Sequence, residues 1–520
     1  MSPYRLGIDV GGTNTDAVIL DEDARVIAKV KRPVTEDVVT SIRTAVVDVV
    51  RLAGVDTSAV RQAMLGTTQV TNAIIERREL GRVGLVRLGA PATLAIPPLT
   101  SWPSDLRQAV AYETVVLAGG FEFDGRVIAR PDLEGVRAFV ERVRPFVSAI
   151  AVSSVFAPVN AEHERLVGAL IEERWPDLSV SLSHEIGSIG LLERENATVL
   201  NAAVGAVAQR AARAFRDAVA LAGVEAELFL TQNDGTLMTL DHAMRHPILT
   251  VACGPTNSMR GASYLSGVTD AVVMDVGGTS TDLGVIKGGF PRESTLAVEV
   301  GGVRTNFRMP DLISLGLGGG SVVSGDGANL RVGPQSLGFR LVREARSFGG
   351  ATLTLTDVAN AVGAARIGTH RPVLDIAVAE AAYRRAIEMV EEGIDRIKTR
   401  AEPVPLVAVG GGSALLPDRL AGVREVVRPD HYDVANAIGA AIAQVSGRVD
   451  RVYALEGRRR EDVLAEARSQ ATAEAVRAGA DASRVEIVQV EEVPLAYLPG
   501  NATRVRVVAV GPLASAARGR

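Results

Sequence analysis

The apolar positions of the chain follow the strand period in some segments and the helix period in others. Uninterrupted or alternating apolar runs predict strands at residues 6–10, 17–20, 26–30, 149–156, 179–182 and 404–409. Apolar residues three and four apart predict helices around residues 42–50, 69–79, 161–174, 191–221 and 375–400. Strands that alternate with crossover helices predict an α/β fold.

The same pattern divides the chain into three parts, which we expect to be domains. The first is an α/β domain at residues 1–188, with a proline- and turn-rich insertion at about 89–131 that is typical of a lid or substrate surface. A second α/β domain is predicted at 189–447. Residues 448–520 hold a charged helix near 458–478 and two strand-like runs, which predict a small α+β appendage without visible chemistry.

Composition narrows the class of protein. Of the 520 residues 47% are hydrophobic and 22% are charged, a balance that indicates globular domains rather than disorder. The net charge of −5 supplies no broad basic surface, so we expect no nucleic-acid partner. No apolar run approaches the roughly 18 residues that cross a bilayer, and the start does not resemble a signal peptide. We therefore expect a cytoplasmic protein without a membrane partner.

One acidic, glycine-rich motif occurs twice. Residues 9–16 read DVGGTNTD and residues 275–282 read DVGGTSTD, so the two copies differ at a single position. Each copy lies between two apolar strands, which predicts a hairpin with glycines at its tip. Glycine lets backbone amides approach a phosphate closely, and threonine hydroxyls add donors. A single copy would be explained better by ordinary hairpin chemistry, but the repetition favours a phosphate site.

This repeat predicts both a nucleotide and a metal. Its two leading carboxylates, Asp9 and Asp275, would face a polyphosphate, which is unfavourable unless Mg²⁺ lies between them and is held partly through water. We therefore predict ATP and Mg²⁺, with both aspartates in catalysis. The repeat is typical of the actin-like ATPase fold, in which duplicated ribonuclease-H-like units flank a nucleotide cleft. The predicted phosphate-binding residues are Gly11, Gly12, Thr13, Asn14, Gly277, Gly278, Thr279 and Ser280.

Two further segments are candidates for the walls of that cleft. The strand at 404–409 runs into Gly410, Gly411 and Gly412, where the absence of side chains would let adenosine approach the backbone. Thr67, Thr68 and Asn72 come at the start of a predicted helix, a position that favours anions, so we place them on the reacting side. Simple capping of that helix by a threonine is the alternative.

Other chemistry-bearing residues give weaker signals. The glycine stretch at 316–320 is either a mobile active-site loop or only a turn. Cys253 cannot form an internal disulfide and is read as a small buried residue. His242 and His246 are four residues apart, but Pro247 follows and no cysteine cluster accompanies them, so we interpret them as ordinary surface histidines rather than metal ligands.

Taken together, these residues resemble the hydantoinase/oxoprolinase family, and specifically the subunit typified by N-methylhydantoinase A. The matching segments are residues 7–16, 66–68, 71–73, 76–78, 183–185, 198–201, 254–255, 275–282, 318–321, 356–357 and 410–411. Two positions depart from the family pattern, because Asn14 stands where relatives commonly have Phe and Leu65 where they commonly have His. These departures bear on the substrate more than on the nucleotide.

The resemblance implies an ATP-dependent hydrolase that opens a hydantoin, 5-oxoproline or a related lactam or imide by phosphorylating the amide oxygen. It also implies a second subunit of the hydantoinase B type in many members, and it leaves self-association open. Two alternatives share the nucleotide site. One is a small-molecule kinase or an ATP-dependent carboxylase subunit, and the other is a non-enzymatic, ATP-driven actin-like switch.

Overall fold

The computed structural model of the protein describes residues 3–35, 37–294, 298–307, 309–325, 327–496 and 501–514. Its helices are α1 Val38–Ala53, α2 Gln69–Glu76, α3 Ser104–Val110, α4 Leu133–Val143, α5 Glu162–Arg174, α6 Leu191–Ala203, α7 Gly205–Leu221, α8 Leu240–Arg245, α9 Cys253–Ser266, α10 Leu341–Glu344, α11 Leu355–Ala361, α12 Ile376–Ile397, α13 Ala435–Ala441 and α14 Arg460–Arg477. Its strands are β1 Tyr4–Val10, β2 Asn14–Leu20, β3 Val26–Pro33, β4 Val60–Thr67, β5 Val83–Ala90, β6 Ala111–Ala118, β7 Ala149–Ser154, β8 Ser179–Leu182, β9 Glu227–Thr231, β10 Thr236–Thr239, β11 Ala271–Val276, β12 Thr281–Lys287, β13 Phe290–Pro291, β14 Val298–Val300, β15 Val303–Thr305, β16 Leu312–Leu315, β17 Ser321–Ser324, β18 Arg331–Ser336, β19 Val404–Val409, β20 Val423–Val427, β21 Gln444–Ala454, β22 Glu486–Pro494 and β23 Ala502–Gly511.

The first large sheet has the strand order β22-β23-β21-β10-β9-β4-β1-β2-β3. Its β1 and β2 form an antiparallel hairpin, and β1 runs parallel to β4. The apolar run in β2 reflects burial on both faces, because Ile19 packs in the core that contains α1 whereas Val18 and Leu20 pack against Ile438 of α13. Helices on both sides of the sheet therefore enclose the strands that carry the first glycine motif.

A second sheet repeats the same local arrangement. It has the order β13-β12-β11-β19-β20, with β16 paired to β12. Here β11 and β12 form the antiparallel hairpin and β19 runs parallel to β11. The apolar face of α12, including Val390 and Ile394, packs against Met274 of β11 as its spacing predicts. Two such units, each built around one copy of the motif, confirm the predicted actin-like fold.

A third, parallel sheet contains much of the region predicted as an insertion. Its order is β6-β5-β7-β8, with α4 and α5 packed on one face and α6 on the other. Because β6 pairs in parallel with β5, residues 89–131 are not solely a loop that lies on the first sheet. Strand β5 belongs to this separate layer, although it lies within the first predicted domain.

Sheet membership also crosses the predicted limits at residues 188 and 447. Strands β9 and β10 pair with β4 and β21, although the sequence pattern places residues 189–447 in the second domain. The predicted C-terminal helix and strands exist as α14, β22 and β23, but β23 pairs with residues 445–454 of β21. Strands β22 and β23 thus extend the first sheet and are not a detached appendage, while the domain limits themselves stay a prediction.

The predicted helix at 191–221 is wrong in one respect. Val204, which has φ −96° and ψ 4°, separates α6 from α7. The helix predicted at 69–79 ends three residues early, because Arg77 adopts a left-handed conformation at its C-terminus. Among the helices of the described residues, none combines the length and the apolarity that a membrane crossing requires.

Candidate functional site

The two glycine motifs meet face to face. At each tip the same turn forms, because the Gly11 amide donates to the Asn14 carbonyl at 3.0 Å and the Gly277 amide donates to the Ser280 carbonyl at 2.9 Å. The hydroxyl oxygens of Thr13 and Thr279 lie 3.4 Å apart across the gap. The structure therefore brings all eight predicted phosphate-binding residues together in one cleft.

Glycine is required where the tips approach each other. A Cβ added to Gly278 would lie 2.6 Å from Oγ1 of Thr13, which leaves no space for a side chain. The stretch at 316–320 closes the other side of the second hairpin. The Gly319 and Gly320 amides donate to the carbonyls of Gly277 and Gly278 at 3.0 and 2.7 Å. This glycine stretch is thus hydrogen-bonded to the hairpin backbone.

Four carboxylates lie at the base of the hairpins, of which the sequence predicts two. Asp9 is directly opposite Asp16 in the first hairpin, and Asp275 is directly opposite Asp282 in the second. The signal for Asp16 and Asp282 is present in the sequence, since both stand at the last position of the repeated motif. Their position across the hairpin, one register pair from the tip, makes them part of the same acidic cluster.

Burial makes it costly for these groups to carry charge. Burial, Asp16 and Asp275 raise the pKa of Asp9 to about 7, against the lowering effect of hydrogen bonds from Asn257 and Asn436. Burial also raises the pKa of Asp282 to about 6, an effect that the hydrogen bond from Ser314 opposes. The cluster therefore holds more negative charge than its surroundings stabilise.

Lys31 is a cation that contacts this cluster. Its Nζ lies 2.7 Å from both carboxylate oxygens of Asp16 and 2.8 Å from the carbonyl oxygen of Asp433. One ammonium group does not balance four carboxylates, so an additional cation would lower the electrostatic free energy of the site. Lys31 shows no motif-like signal in the sequence, because β3 brings it to the cleft only through its pairing with β2.

The aspartates fit a magnesium ion that arrives with a polyphosphate. Among the described residues, no group of three or more His, Cys, Asp or Glu side chains is arranged to hold a metal by itself. Mg²⁺ does not need such a group, since it keeps several waters and binds one or two carboxylates together with phosphate oxygens. Asp9 and Asp275 supply the carboxylates, and the excess negative charge around Asp9 is the observation that favours a cation there.

Two helices beneath the hairpins position the aspartates. Asn257 of α9 directs its Nδ2 toward Oδ1 of Asp9 at 3.4 Å and donates to Thr231 at 3.0 Å, while Asn436 of α13 donates to Oδ2 of Asp9 at 2.9 Å. Ser258 of α9 donates to Asp275 at 2.5 Å. Sequence reasoning missed these residues because they are distant in the chain and belong to no motif.

Both central aspartates rest against a glycine at the end of a neighbouring parallel strand. A Cβ on Gly66 of β4 would lie 2.4 Å from Oδ1 of Asp9, and a Cβ on Gly410 after β19 would lie 2.2 Å from Oδ1 of Asp275. Gly410 also has φ +82°, a conformation that side chains rarely adopt. Gly66 is the register partner of Asp9, whereas Gly410 follows the register partner of Asp275, Val409, by one residue.

The predicted adenosine segment lies beside the second hairpin. The Gly412 amide donates to the Val276 carbonyl at 2.8 Å, and Gly411 is exposed, with its Cβ position 3.5 Å from Cε of Lys31. The structure thus places residues 410–412 at the rim of the cleft. Their binding of adenosine stays a prediction.

Thr67, Thr68 and Asn72 lie at the end of β4 and the start of α2, as predicted. Oγ1 of Thr67 accepts from the Gln69 amide at 3.3 Å, and the hydroxyl of Thr68 donates to the Val10 carbonyl at 3.2 Å. Both hydroxyl groups therefore already take part in hydrogen bonds, although Thr68, the N-cap residue of α2, makes no side-chain capping bond. Asn72 is exposed. Burial raises the pKa of Cys253, which donates to the Thr67 carbonyl, to about 11, so this thiol is a buried neutral group.

Two family models match the chain. The hydantoinase/oxoprolinase N-terminal region matches residues 5–175, and the hydantoinase/oxoprolinase model matches residues 194–371. The chain belongs to the hydantoinase/oxoprolinase family. Both copies of the repeated motif fall inside the matched regions of this family.

Individual relatives add detail to the family assignment. Caprolactamase subunit alpha from Pseudomonas jessenii is 27% identical over 391 residues, which are 69% of this chain and 54% of the relative. Acetophenone carboxylase gamma subunit from Aromatoleum aromaticum strain EbN1 is 27% identical over 435 residues, 76% of this chain and 58% of the relative. The matched region thus spans little more than half the length of these curated relatives.

A solved structure supports the fold. The crystal structure of the ATP-dependent caprolactamase from Pseudomonas jessenii superposes with a TM-score of 0.78 and 21% sequence identity, covering 99% of this chain and 89% of that one. At this level of identity the similarity establishes the shared architecture of the hydantoinase/oxoprolinase family.

Proposed function

We propose that the protein is an ATP-dependent hydrolase that opens a cyclic amide, such as a hydantoin, 5-oxoproline or a related lactam. The observation that carries the proposal is the pair of glycine hairpins, which face each other above four carboxylates. The hydroxyl oxygens of Thr13 and Thr279, one from each hairpin, lie 3.4 Å apart. Backbone amides and hydroxyls converge there from both units, as binding of a polyphosphate requires.

In this proposal each part of the cleft has a separate task. Residues 11–13 and 277–279 cradle the phosphates through the amides of residues 12, 13, 278 and 279, because the amides of Gly11 and Gly277 donate within their own hairpins. Residues 410–412 hold adenosine. Asp9 and Asp275 hold Mg²⁺, which neutralises phosphate charge when bound. Thr67, Thr68 and Asn72 line the side on which the cyclic amide lies. Catalysis then consists mainly of positioning and of charge neutralisation at the transferred phosphoryl group.

Phosphorylation explains why ATP would be used to open a ring. Resonance makes an amide carbonyl a poor electrophile, and transfer of a phosphoryl group to its oxygen makes the carbonyl carbon open to attack by water. After water adds to that carbon, the C–N bond breaks and the ring nitrogen leaves as a protonated amine. The remaining acyl phosphate is hydrolysed by a second water to a carboxylate and inorganic phosphate. The similarity to a caprolactamase subunit, whose name states a lactam substrate, supports a cyclic amide as acceptor. Names of subunits among the relatives also support a second, hydantoinase B-type subunit as partner.

The test is phosphate release from Mg-ATP by the purified chain, with and without a panel of hydantoins, 5-oxoproline and other lactams. We expect one class of ring to stimulate phosphate release and to yield its ring-opened product. If the chain alone shows only basal release, the assay is repeated with a co-expressed hydantoinase B-type subunit. Absence of ring opening under both conditions would contradict the cyclic-amidase assignment.

The match to a carboxylase subunit supports a second candidate, an ATP-dependent carboxylase subunit. The same assay separates the two functions, because carboxylation requires bicarbonate whereas ring opening does not. Turnover that depends on bicarbonate would favour the carboxylase, and accumulation of a stable phosphorylated compound would favour a small-molecule kinase.

A further inference from the structure

A cavity of about 1240 Å³ lies outside the nucleotide cleft. Its wall is formed by the loops that follow β7 and β8, by β10 and α8, and by β21 and α14 of the C-terminal region. Within the described part of the chain, neither glycine hairpin contributes a residue to this wall. The cavity is therefore separate from the site proposed for ATP.

The wall carries an excess of positive charge. Some of its arginines are paired with acids, as follows: Arg448 with Asp234, Arg477 with Glu474, and Arg506 with Asp450. Arg165, Arg245 and Arg451 also line the cavity and form no ion pair with any residue that the structure describes. The wall also contains Glu185, which forms no ion pair with any of these arginines. Three unpaired arginines therefore face one acid that no arginine neutralises, so positive charges outnumber negative charges in the wall.

A histidine pair, His242 and His246, lies next to these arginines, and the buried ring of His246 adds no charge to the wall. His246 is 6% exposed, and its ring lies 4.4 Å from the ring of His242. Burial, followed by the neighbouring His242, Arg245 and His184, lowers the pKa of His246 to about 3, so its ring is neutral at neutral pH. Its buried position differs from the surface location expected from the sequence.

Two polar atoms of wall residues lack hydrogen-bond partners. Nδ1 of His246 and Oδ1 of Asn306 are enclosed and make no hydrogen bond within the described ranges. The other nitrogen of His246, Nε2, is 3.8 Å from Glu185. Buried polar groups are normally paired, and an unpaired group costs free energy. Both atoms are enclosed by the wall itself, so they add to its polar character and are not contacts for a ligand.

Part of the wall is apolar, although polar side chains line the rest. Leu237, Met238, Leu249, Phe307 and Val449 all line the cavity. A ligand that matches both parts has an anionic head and a hydrocarbon body, and a volume of this size accommodates a small organic molecule rather than a single inorganic ion. We propose that this cavity is a second small-molecule site, which binds an organic carboxylate with an apolar body through Arg165 and Arg245.

Calorimetric titration of the full chain without nucleotide tests this site. Hexanoate supplies both a carboxylate and an apolar body, hexylamine has the same body with the opposite charge, and inorganic phosphate is an anion without a body. We expect saturable binding of hexanoate at one site and no saturable binding of hexylamine. Phosphate, titrated with Mg-ADP saturating the proposed nucleotide cleft, should bind more weakly than hexanoate. The affinity for hexanoate should stay the same in saturating Mg-ATP, which separates this site from the cleft.

Matched variants locate the binding. Arg245→Gln and Arg165→Gln remove exposed guanidinium groups, so both variants should fold, and each should weaken hexanoate binding about tenfold because a charge-assisted hydrogen bond is lost. Arg384→Gln, on the exposed face of α12, should leave the affinity unchanged. Lack of saturable hexanoate binding, equal binding of hexylamine or phosphate, or wild-type affinity in both cavity variants would overturn the proposal.

Discussion

At the scale of single residues, the carboxylates of the cleft place negative charge where it is poorly solvated. Burial raises the pKa of Asp275, and the Ser258 hydroxyl and the Lys31 ammonium oppose that rise. The buried charge of Asp275 would bind a cation, but it does not stabilise the fold by itself. Function and stability can be separated experimentally at this position.

We predict that Asp275→Asn abolishes ATP hydrolysis and leaves the fold intact. The amide keeps an acceptor for Ser258 but loses the negative charge, so turnover should fall at least about 100-fold. The free energy of unfolding should change by no more than about 1 kcal/mol, because a costly buried charge is removed. Phosphate release and thermal unfolding measure the two effects.

The matched control is Asp217→Asn, which removes an exposed carboxylate from α7. It should keep wild-type turnover. An Asp275→Asn variant that hydrolyses ATP at the wild-type rate would remove Asp275 from the proposed site.

The buried His246 predicts a pH dependence of stability. Its folded pKa of about 3 lies below the ordinary value of 6.5, so between these values the unfolded chain binds the extra proton. The contribution of His246 to stability is thus lost as the pH falls below about 6.5. Between pH 7 and pH 4.5 this contribution should amount to roughly 2 to 3 kcal/mol. It is measured as the difference between the wild type and His246→Gln, because the raised pKa values of Asp9 and Asp282 change the total stability in the opposite direction.

Chemical unfolding of the wild type and the variant at the two pH values measures this difference. His370→Gln, at an exposed position, is the control and should retain the wild-type pH dependence. Parallel pH curves for the wild type and His246→Gln would show that His246 is not the group responsible.

At the scale of elements, the contact between α9 and α13 depends on two glycines. A Cβ on Gly261 would lie 1.9 Å from the Ala435 carbonyl oxygen, and a Cβ on Gly439 would lie 1.9 Å from the Asn257 carbonyl oxygen. These helices carry the side chains that hydrogen-bond to Asp9 and Asp275. Their close approach is therefore a condition for the geometry of the site.

We predict that Gly261→Ala lowers the free energy of unfolding by about 1 to 3 kcal/mol and weakens nucleotide binding, because the helices must move apart. Gly205→Ala is the matched control, since the structure leaves open space at that helical position. It should stabilise the protein by up to about 1 kcal/mol. Denaturant titration and nucleotide titration test both variants, and equal behaviour of the two would contradict the packing argument.

Element types were predictable from the sequence where the pattern is local. The hairpins around Gly11 and Gly277 and the amphipathic helix α12 were predicted, because alternation and 3.6-residue spacing are properties of short segments. The break at Val204 was not, since apolar positions continue through it. The left-handed Arg77 that ends α2 likewise has no marker, as glycine commonly fills such positions.

At the scale of the whole molecule, the C-terminal region belongs to the first sheet. Val505 and Val507 of β23 are fully buried with Val445 of β21 and Ala467 of α14. The same core contains Met64 of β4, the strand that leads to Thr67. Removal of this region would expose the core next to the strand that borders the cleft.

We therefore predict that a chain ending at residue 447 does not reach the native state. It loses most of β21 and all of β23, so β10 and the apolar residues beside it would be exposed. Solubility and the cooperativity of thermal unfolding, compared with those of the full chain, measure the outcome. A soluble truncated protein with an unchanged melting temperature would instead show that residues 448–514 are an independent appendage.

The sequence by itself determined the chemistry of the tips: two acidic glycine hairpins, their order in the chain and the strands on either side. These features are local, because neighbouring residues set the turn and the alternation that builds each hairpin. Tertiary structure decided which sheet each strand joins and how Lys31, Asn257 and Asn436 reach Asp9 or Asp16. It also decided where the cavity around His246 lies. Such contacts join distant segments through strand pairing and helix packing, and the periodicity of one segment contains no information about its partner.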